Sequence, residues 1–260
     1  MRLVLGLEYD GTRFCGWQSQ RSGRSVQQTV ESAISTVADH VVSVVCAGRT
    51  DTGVHALGQV VHFDTDADRP ERAWTIGVNS NLPDDVSVRW VAQRNEDFHA
   101  RFSARSRTYR YVIHNATSRS ALLADRAWWH HRRLRTDRMQ AAARFLIGEH
   151  DFSSLRAAEC QSRSPIRTLQ RVDIDRSGDI VWIEVEANAF LHHMVRNIVG
   201  TLVRVGRQDA EPEWVAQVLA SRDRRVAGMT APACGLYFLR VDYGAGLETP
   251  VSDTAAIPAG

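Results

Sequence analysis

The spacing of apolar residues along the chain switches repeatedly between strand and helix periods. Residues 2–10 (RLVLGLEYD) form a run of strand length and composition. Over 25–38 the period lengthens. Val26, Val30, Ala33, Ile34 and Val37 fall at helical spacing behind Ser25, whose hydroxyl can accept from first-turn N–H groups. Strands are predicted at 41–46 (VVSVVC) and 59–64 (QVVHFD), a helix from Pro70 to about Asn79, and a strand at 86–94 (VSVRWVAQR). The order is β-α-β-β-α-β.

The second half repeats it. A strand is predicted at 107–115, and a helix at 136–148 with Thr136 as its cap and Gly148 as its stop. Strands at 168–176 and 179–187 make a hairpin around Ser177-Gly178. A helix at about 191–206, an inserted helix near 211–220 and a last strand at 236–243 complete the set. The doubled order predicts an α/β chain of the α+β kind: two RRM-like, ferredoxin-like β-α-β-β-α-β domains. Their antiparallel sheets would stand side by side with a central active-site cleft. The predicted domains are 1–104 and 105–243. Residues 244–260 lack periodicity and aromatics and are expected to form a mobile tail.

Composition adds exclusions. The 43% hydrophobic and 24% charged content of the 260 residues suits a globular protein. Four dispersed cysteines with no C-x-x-C spacing argue against a disulfide framework or a zinc knuckle, and a reducing, cytoplasmic setting fits. The first residues are too short an apolar run for a signal peptide, and no window approaches the roughly 18 apolar residues of a membrane span. The net charge of +2 conceals an asymmetry. Residues 94–138 hold 11 Arg against 4 acids, while both flanking stretches are net acidic. That excess predicts a surface for a polyanion.

Candidate chemistry centres on AGRTDTGVHALGQ (47–59), which contains Asp51-Thr52-Gly53. Aspartic proteases present a catalytic carboxylate on such a tripeptide, but they need two carboxylates sharing a proton. The sequence has no second Asp-[Ser/Thr]-Gly, and Arg49 and Thr50 stand where a protease would carry apolar residues. An ordinary turn is the simpler alternative, with Gly53 supplying a permissive backbone. Against it, the predicted strands leave a loop of about a dozen residues, long for a hairpin. Arg49 also lies within reach to orient a carboxylate or hold a phosphate.

The rest of the chain bears on the choice. YDGTRFCGWQSQ (9–20) with SVQQTVESAI (25–34) resembles the first block of the TruA family of tRNA pseudouridine synthases. AGRTDTGVHALGQVVHF (47–63) resembles that family's catalytic block, and FHARFSARSRTYRYVIHN (98–115) its tyrosine block. GEHDFSSLRAAECQSRSPIRTL (148–169), NAFLHHMVRNIVGTLVRVG (188–206) and GLYFLRVDY (235–243) match the later blocks in the same order. Leu155 departs from the pattern, where an aromatic is usual.

The resemblance implies isomerisation of uridine to pseudouridine at positions 38–40 of the tRNA anticodon stem-loop, with base flipping and one catalytic aspartate. It makes Asp51 that aspartate and Arg196 its partner. It assigns Tyr109 to stacking on the target uracil, Leu236 to an apolar pocket wall, and Arg49 to extruding the base. It implies a cytoplasmic homodimer with tRNA as partner and no membrane association. An isomerisation exchanges no electrons, phosphate or methyl group. No cofactor and no metal are therefore expected, in keeping with the missing G-x-G-x-x-G and Walker patterns.

Bare readings stand beside these. Arg196 could be a surface helix residue, Tyr109 a core aromatic and Leu236 core packing. His192 and His193 are adjacent and do not share a helix face, so they read as packing or RNA contacts rather than metal ligands. Trp128, Trp129, His130, His131, Arg132, Arg133 and Arg135 interleave aromatics with cations and are expected to face RNA. The competing class is a non-catalytic RNA-binding protein with two RRM-like domains, although no strand carries the R-G-F/Y-G/A-F pattern of such domains.

Overall fold

A computed structural model describes residues 1–247; positions 248–260 of the expected tail lie outside the described residues. The chain divides into two compact units, Met1–Arg105 with the stretch that begins at Tyr237, and Ser106–Leu236.

In the first unit, β1 (Arg2–Tyr9) leads into α1 (Val26–Ala38). The Ser25 hydroxyl accepts from Gln28 N–H at 3.3 Å, as its position predicts. α1 buries Val26, Val30, Ala33, Ile34 and Ala38 and ends at Asp39, which takes a left-handed φ of 61°. β2 is only Val45–Cys46 rather than the predicted 41–46. The reason is competition for the backbone. Val42 N–H donates to Ser35 Oγ at 2.9 Å and Val44 N–H to Glu31 Oε1 at 3.0 Å, so helix side chains take the place of a strand partner.

β3 (His55–Asp64) starts at His55, ahead of the predicted Gln59. The predicted helix after Pro70 is present over 71–79, with a π-helical segment at Ala73–Gly77 whose Trp74 packs 5.5 Å from Phe63. β4 is Val86–Arg94. β1 pairs antiparallel with β3 on one side and β4 on the other, and β2 adds to β3.

The second unit begins with β5 (Ser106–His114). A two-residue strand, β6 (Trp128–Trp129), runs parallel to β5 and is too short to show in the apolar pattern. α2 spans Thr136–Ala143 with Arg135, not Thr136, at the cap position, and tightens into a 3₁₀ turn at Arg144–Leu146. Gly148 stands at φ +102° and opens a short strand, β7 (Gly148–Asp151). β8 (Ile166–Ser177) and β9 (Ile180–Ala187) form the predicted hairpin, with Gly178 at φ +55° in its turn.

α3 spans Met194–Gly206, starting after His193 rather than at Leu191. α4 is Trp214–Ser221. The sheet order in this unit is β5-β9-β8-β7, antiparallel throughout, with β6 outside β5. Gln140 ties α2 to β8 by donating to Val172 O at 3.0 Å and accepting from Ile174 N–H at 2.8 Å.

The last strand, β10 (Leu236–Asp242), changes the expected partition. From Tyr237 on it belongs with the first unit, where Tyr237 and Phe238 pair in parallel with His55 and Ala56 of β3. Apolar alternation marks a strand but does not name its partner. The start of the expected tail is also packed. Gly244–Gly246 form a 3₁₀ turn and Leu247 is buried. Among the described residues, no helix is long and apolar enough to cross a membrane.

One buried histidine gives the fold a pH signature. His62 on β3 accepts Ala100 N–H at its Nδ1 at 3.0 Å, which requires an unprotonated ring nitrogen. Burial, with Arg2 and His99 adding to it, pushes its pKa down to about 4. Between there and the ordinary histidine value near 6.5, the unfolded chain binds more protons than the folded one. Stability is therefore full above about pH 6.5 and declines as pH falls toward 4. Urea midpoints measured across that window are expected to drop, and the drop is expected to shrink in His62→Gln.

Candidate active site

The candidate residues are distributed over both units: Asp51 and Arg49 in the first, Tyr109, Arg196 and Leu236 in the second.

Asp51 lies in the loop 47–54 between β2 and β3, which is shorter than predicted because β3 begins early. Tethering, not length, distinguishes this loop. Gly48 O accepts from Gln59 Nε2 at 2.6 Å, and the same amide reaches the Tyr9 hydroxyl at 3.4 Å. That hydroxyl is 2.8 Å from Thr50 Oγ1, in a buried pair. Thr50 O accepts from Trp17 N–H at 2.9 Å. Val54 N–H donates to Asp51 O at 3.1 Å and closes the turn around Thr52 and Gly53, the latter at φ +76°.

Two glycines let the preceding block lie directly on this loop. A Cβ at Gly11 would stand 2.0 Å from Val54 O, and one at Gly16 would stand 2.9 Å from Thr50 O. The backbone on both sides of Asp51 is thus fixed by buried hydrogen bonds, while its side chain is half-buried and Arg49 is exposed. Burial raises the Tyr9 hydroxyl pKa well above its ordinary value, so it stays a neutral tether. Burial likewise pushes the Cys46 thiol, at the foot of the loop, up to about 11 against the opposing pull of Arg49 and Arg101.

Tyr9→Phe leaves Thr50 Oγ1 without this partner. It is expected to cost about 1–3 kcal/mol and to slow turnover by loosening the loop. Thermal melts read alongside kcat check both effects.

In the second unit, Arg196 is half-buried on α3. Its Nε donates to Ala231 O at 2.7 Å, and its own carbonyl accepts from Ala231 N–H at 3.1 Å. The segment 228–231 that provides these contacts lies flat on the helix. Gly228 N–H donates to Thr201 Oγ1 at 3.1 Å, and the buried Asn197 side chain holds Thr230 Oγ1 at 2.7 Å and Leu155 O at 2.9 Å. A guanidinium fixed through Nε keeps its two terminal nitrogens in a defined plane.

Tyr111 is the common neighbour on β5. Its hydroxyl donates to Pro232 O at 2.7 Å, and Arg196 opposes the rise in pKa that burial imposes on it. Its ring would be 2.8 Å from a Cβ on Gly235, directly before buried Leu236. Tyr109, two residues earlier in β5, is 8% exposed and meets Phe190 edge-on at 5.0 Å.

Sequence reasoning missed the tethers. Gln59 and Asn197 are fully buried polar residues within apolar runs, a mismatch visible in the sequence but not interpretable without their partners. Tyr111 was missed as well, although the i, i+2 spacing of Tyr109 and Tyr111 puts both on one face of the strand.

Folding gives several arginines of the 94–138 stretch acidic partners. Arg110 pairs with Glu184, Arg132 with Asp209, Arg133 with Asp179, Arg138 with Glu211 and Arg135 with Asp137. Four of these acids come from the acidic C-terminal stretch. In the Trp128–Arg135 segment, Trp128 and His130 are turned inward and the three arginines are paired. Trp129 remains exposed, tilted against His131 at 6.1 Å. His192 and His193, with rings 4.0 Å apart, precede α3 instead of lying on it.

Comparison with known proteins bears on this arrangement. The model of a family described as tRNA pseudouridine synthase matches residues 7–103 and 142–244. Asp51, Arg49, Arg196 and Leu236 lie inside those segments and Tyr109 lies between them. A protein named tRNA pseudouridine synthase A from Photobacterium profundum is 54% identical over 257 residues, covering 99% of this chain and 98% of its own. One of the same name from Aeromonas hydrophila is 55% identical over 250 residues, covering 96% and 93%. Among solved structures, an archaeal box H/ACA sRNP Nop10–Cbf5 complex aligns at 13% identity over 90% of this chain and 47% of that chain. Its TM-score of 0.39 is too low to add anything. Identity above one half, sustained along nearly the full length of both partners, shows that the chain belongs to the tRNA pseudouridine synthase A (TruA) family of isomerases.

Proposed function

We propose that this protein isomerises uridine to pseudouridine at positions 38–40 of the tRNA anticodon stem-loop. The reaction breaks the C1′–N1 bond, turns the uracil, and joins C5 to C1′, with the C5 proton lost and N1 protonated. The observation that carries the proposal is the Asp51 loop, whose backbone is tied down on both sides of a half-buried carboxylate. Preorganised negative charge suits attack on, or stabilisation of, the cationic ribose that forms as the base leaves.

Arg196 is assigned to the charge of that carboxylate, and its fixed Nε supports a defined approach. Tyr109 stacks on the flipped uracil and Leu236 walls its apolar edge. Arg49, exposed on the same loop as Asp51, holds the phosphate or fills the stack left by the extruded base. The reading needs no cofactor and no metal. It places a homodimer in the cytoplasm with tRNA as its partner, which light scattering checks as twice the chain mass.

The decisive experiment incubates unmodified tRNA with the protein and maps pseudouridine at nucleotide resolution. Product at 38–40 is expected. Tight tRNA binding without product would favour a binding protein instead. Tyr109→Phe is expected to retain most of the substrate affinity, whereas Tyr109→Ala is expected to weaken it by at least about fivefold, the lower end of base–aromatic stacking.

A further inference from the structure

Phe102 is 75% exposed, yet the turn that carries it is held by hydrogen bonds on both sides of the ring's position. Arg101 N–H and Phe102 N–H both donate to His99 Nδ1 at 3.2 Å. Ser103 Oγ accepts His99 N–H at 2.9 Å. Ala100 N–H donates to His62 Nδ1 on β3, and Ala100 O accepts from the Tyr243 hydroxyl at 2.7 Å. Phe98 packs on Tyr243 at 5.0 Å. An exposed phenylalanine ring on such a turn gains nothing for the core.

The ring is also prepared on one side. His99 stacks against it at 4.3 Å with planes 29° apart, and the Arg101 guanidinium lies over the ring at 5.5 Å from its centroid. Its place is set by β3. His62, which anchors the turn, faces Val45 in register, one step from the Val61–Cys46 pair at which the Asp51 loop departs. Arg101, next to Phe102 in the chain, is itself exposed.

We propose that Phe102, backed by His99 and with Arg101 at its ring, is a stacking platform for an unpaired base of the RNA, beside the Asp51 loop and distinct from the Tyr109 stack on the target uracil. An exposed aromatic ring with a guanidinium beside it suits a nucleobase with its phosphate, and a rigid turn adds little ordering cost on binding. Phe102 is therefore a substrate-positioning residue. This rests on the proposed function, since it names a second RNA contact of the same enzyme.

The test compares the parent protein with Phe102→Ala, Phe102→Leu and Phe102→Trp, using unmodified tRNA, and measures KM, kcat and equilibrium tRNA affinity. Phe102→Ala and Phe102→Leu are expected to raise KM and Kd about tenfold while kcat changes less than twofold, and Phe102→Trp to restore both. An Ala variant with parental KM and Kd overturns the platform. So does a Leu variant as good as Trp, or a change of oligomeric state in light scattering, which would assign the ring to a protein contact. Parental turnover on tRNA tests the function itself. If the parent makes no pseudouridine, the ratio of tRNA affinities among the variants still decides the platform.

Discussion

Asp51→Asn is expected to leave tRNA affinity within about twofold of the parent and to lower single-turnover pseudouridine formation by at least about a thousandfold. The substitution is nearly isosteric. The loop's tethers run through Gly48 O, Thr50 Oγ1, Thr50 O and Asp51 O, and all of these persist in the variant. What is removed is the negative charge at a fixed position. An amide neither attacks the sugar nor stabilises a cation as a carboxylate does, so the loss falls on the chemical step. A rate within tenfold of the parent would remove Asp51 from the mechanism and leave the loop a structural turn. Comparison with Tyr9→Phe separates the charge from its support, because that variant keeps the carboxylate and loosens its backbone.

Gly200→Ala is expected to have the largest effect on stability. A Cβ there would lie 1.7 Å from Met229 O, and a Cβ on the neighbouring Gly228 would lie 2.5 Å from the Gly200 carbonyl. Backbone cannot swing aside as a flexible side chain can. Either α3 or the 228–231 segment must move, at a cost of about 3 kcal/mol or more. That corresponds to a fall in Tm of roughly 6–12 °C for a unit of this size. Because Ala231 holds Arg196 from that segment, residual folded enzyme is expected to turn over more slowly as well. Gly178→Ala is the comparison, since nothing lies within 4 Å of its Cβ position and the backbone sits at φ +55°. It is expected to cost only about 1–2 kcal/mol of left-handed strain. Calorimetry on the two variants distinguishes close packing from local conformation.

The elements that could be read from the sequence are those whose apolar period is undisturbed. α1 with its Ser25 cap, the β8–β9 hairpin around Gly178 and the strands β1, β4 and β5 depend on local spacing and turn chemistry. The elements that could not be read depend on distant partners. The 41–44 stretch has the composition of a strand, but Ser35 and Glu31 of α1 claim its N–H groups. β6 and β7 are only two and four residues long, below the length at which a period exists. The partner of β10 lies some 180 residues away in sequence, and alternation alone does not select it.

The candidate site divides in the same way. Asp51 and Arg196 stand out in their motifs. The residues that position them, Tyr9, Gln59, Asn197 and Ala231, are ordinary in sequence and become meaningful only once buried partners are assigned. The acidic partners of several arginines in 94–138 were likewise not legible, because folding brings them from far along the chain.

The parallel pairing of β10 with β3 has a consequence for biosynthesis. The unit that carries Asp51 is built from both ends of the described chain. Tyr237 stacks on His55 at 4.7 Å, and Tyr243 ties down Ala100. A ribosome adding about 5–20 residues per second finishes residues 1–105 roughly 7–26 seconds before it delivers that strand. Throughout that interval the nascent β3 carries an open edge at His55 and Ala56, next to the Asp51 loop. The unit that carries Asp51 is thus translated first and completed last, and the intervening unit emerges before the edge is closed.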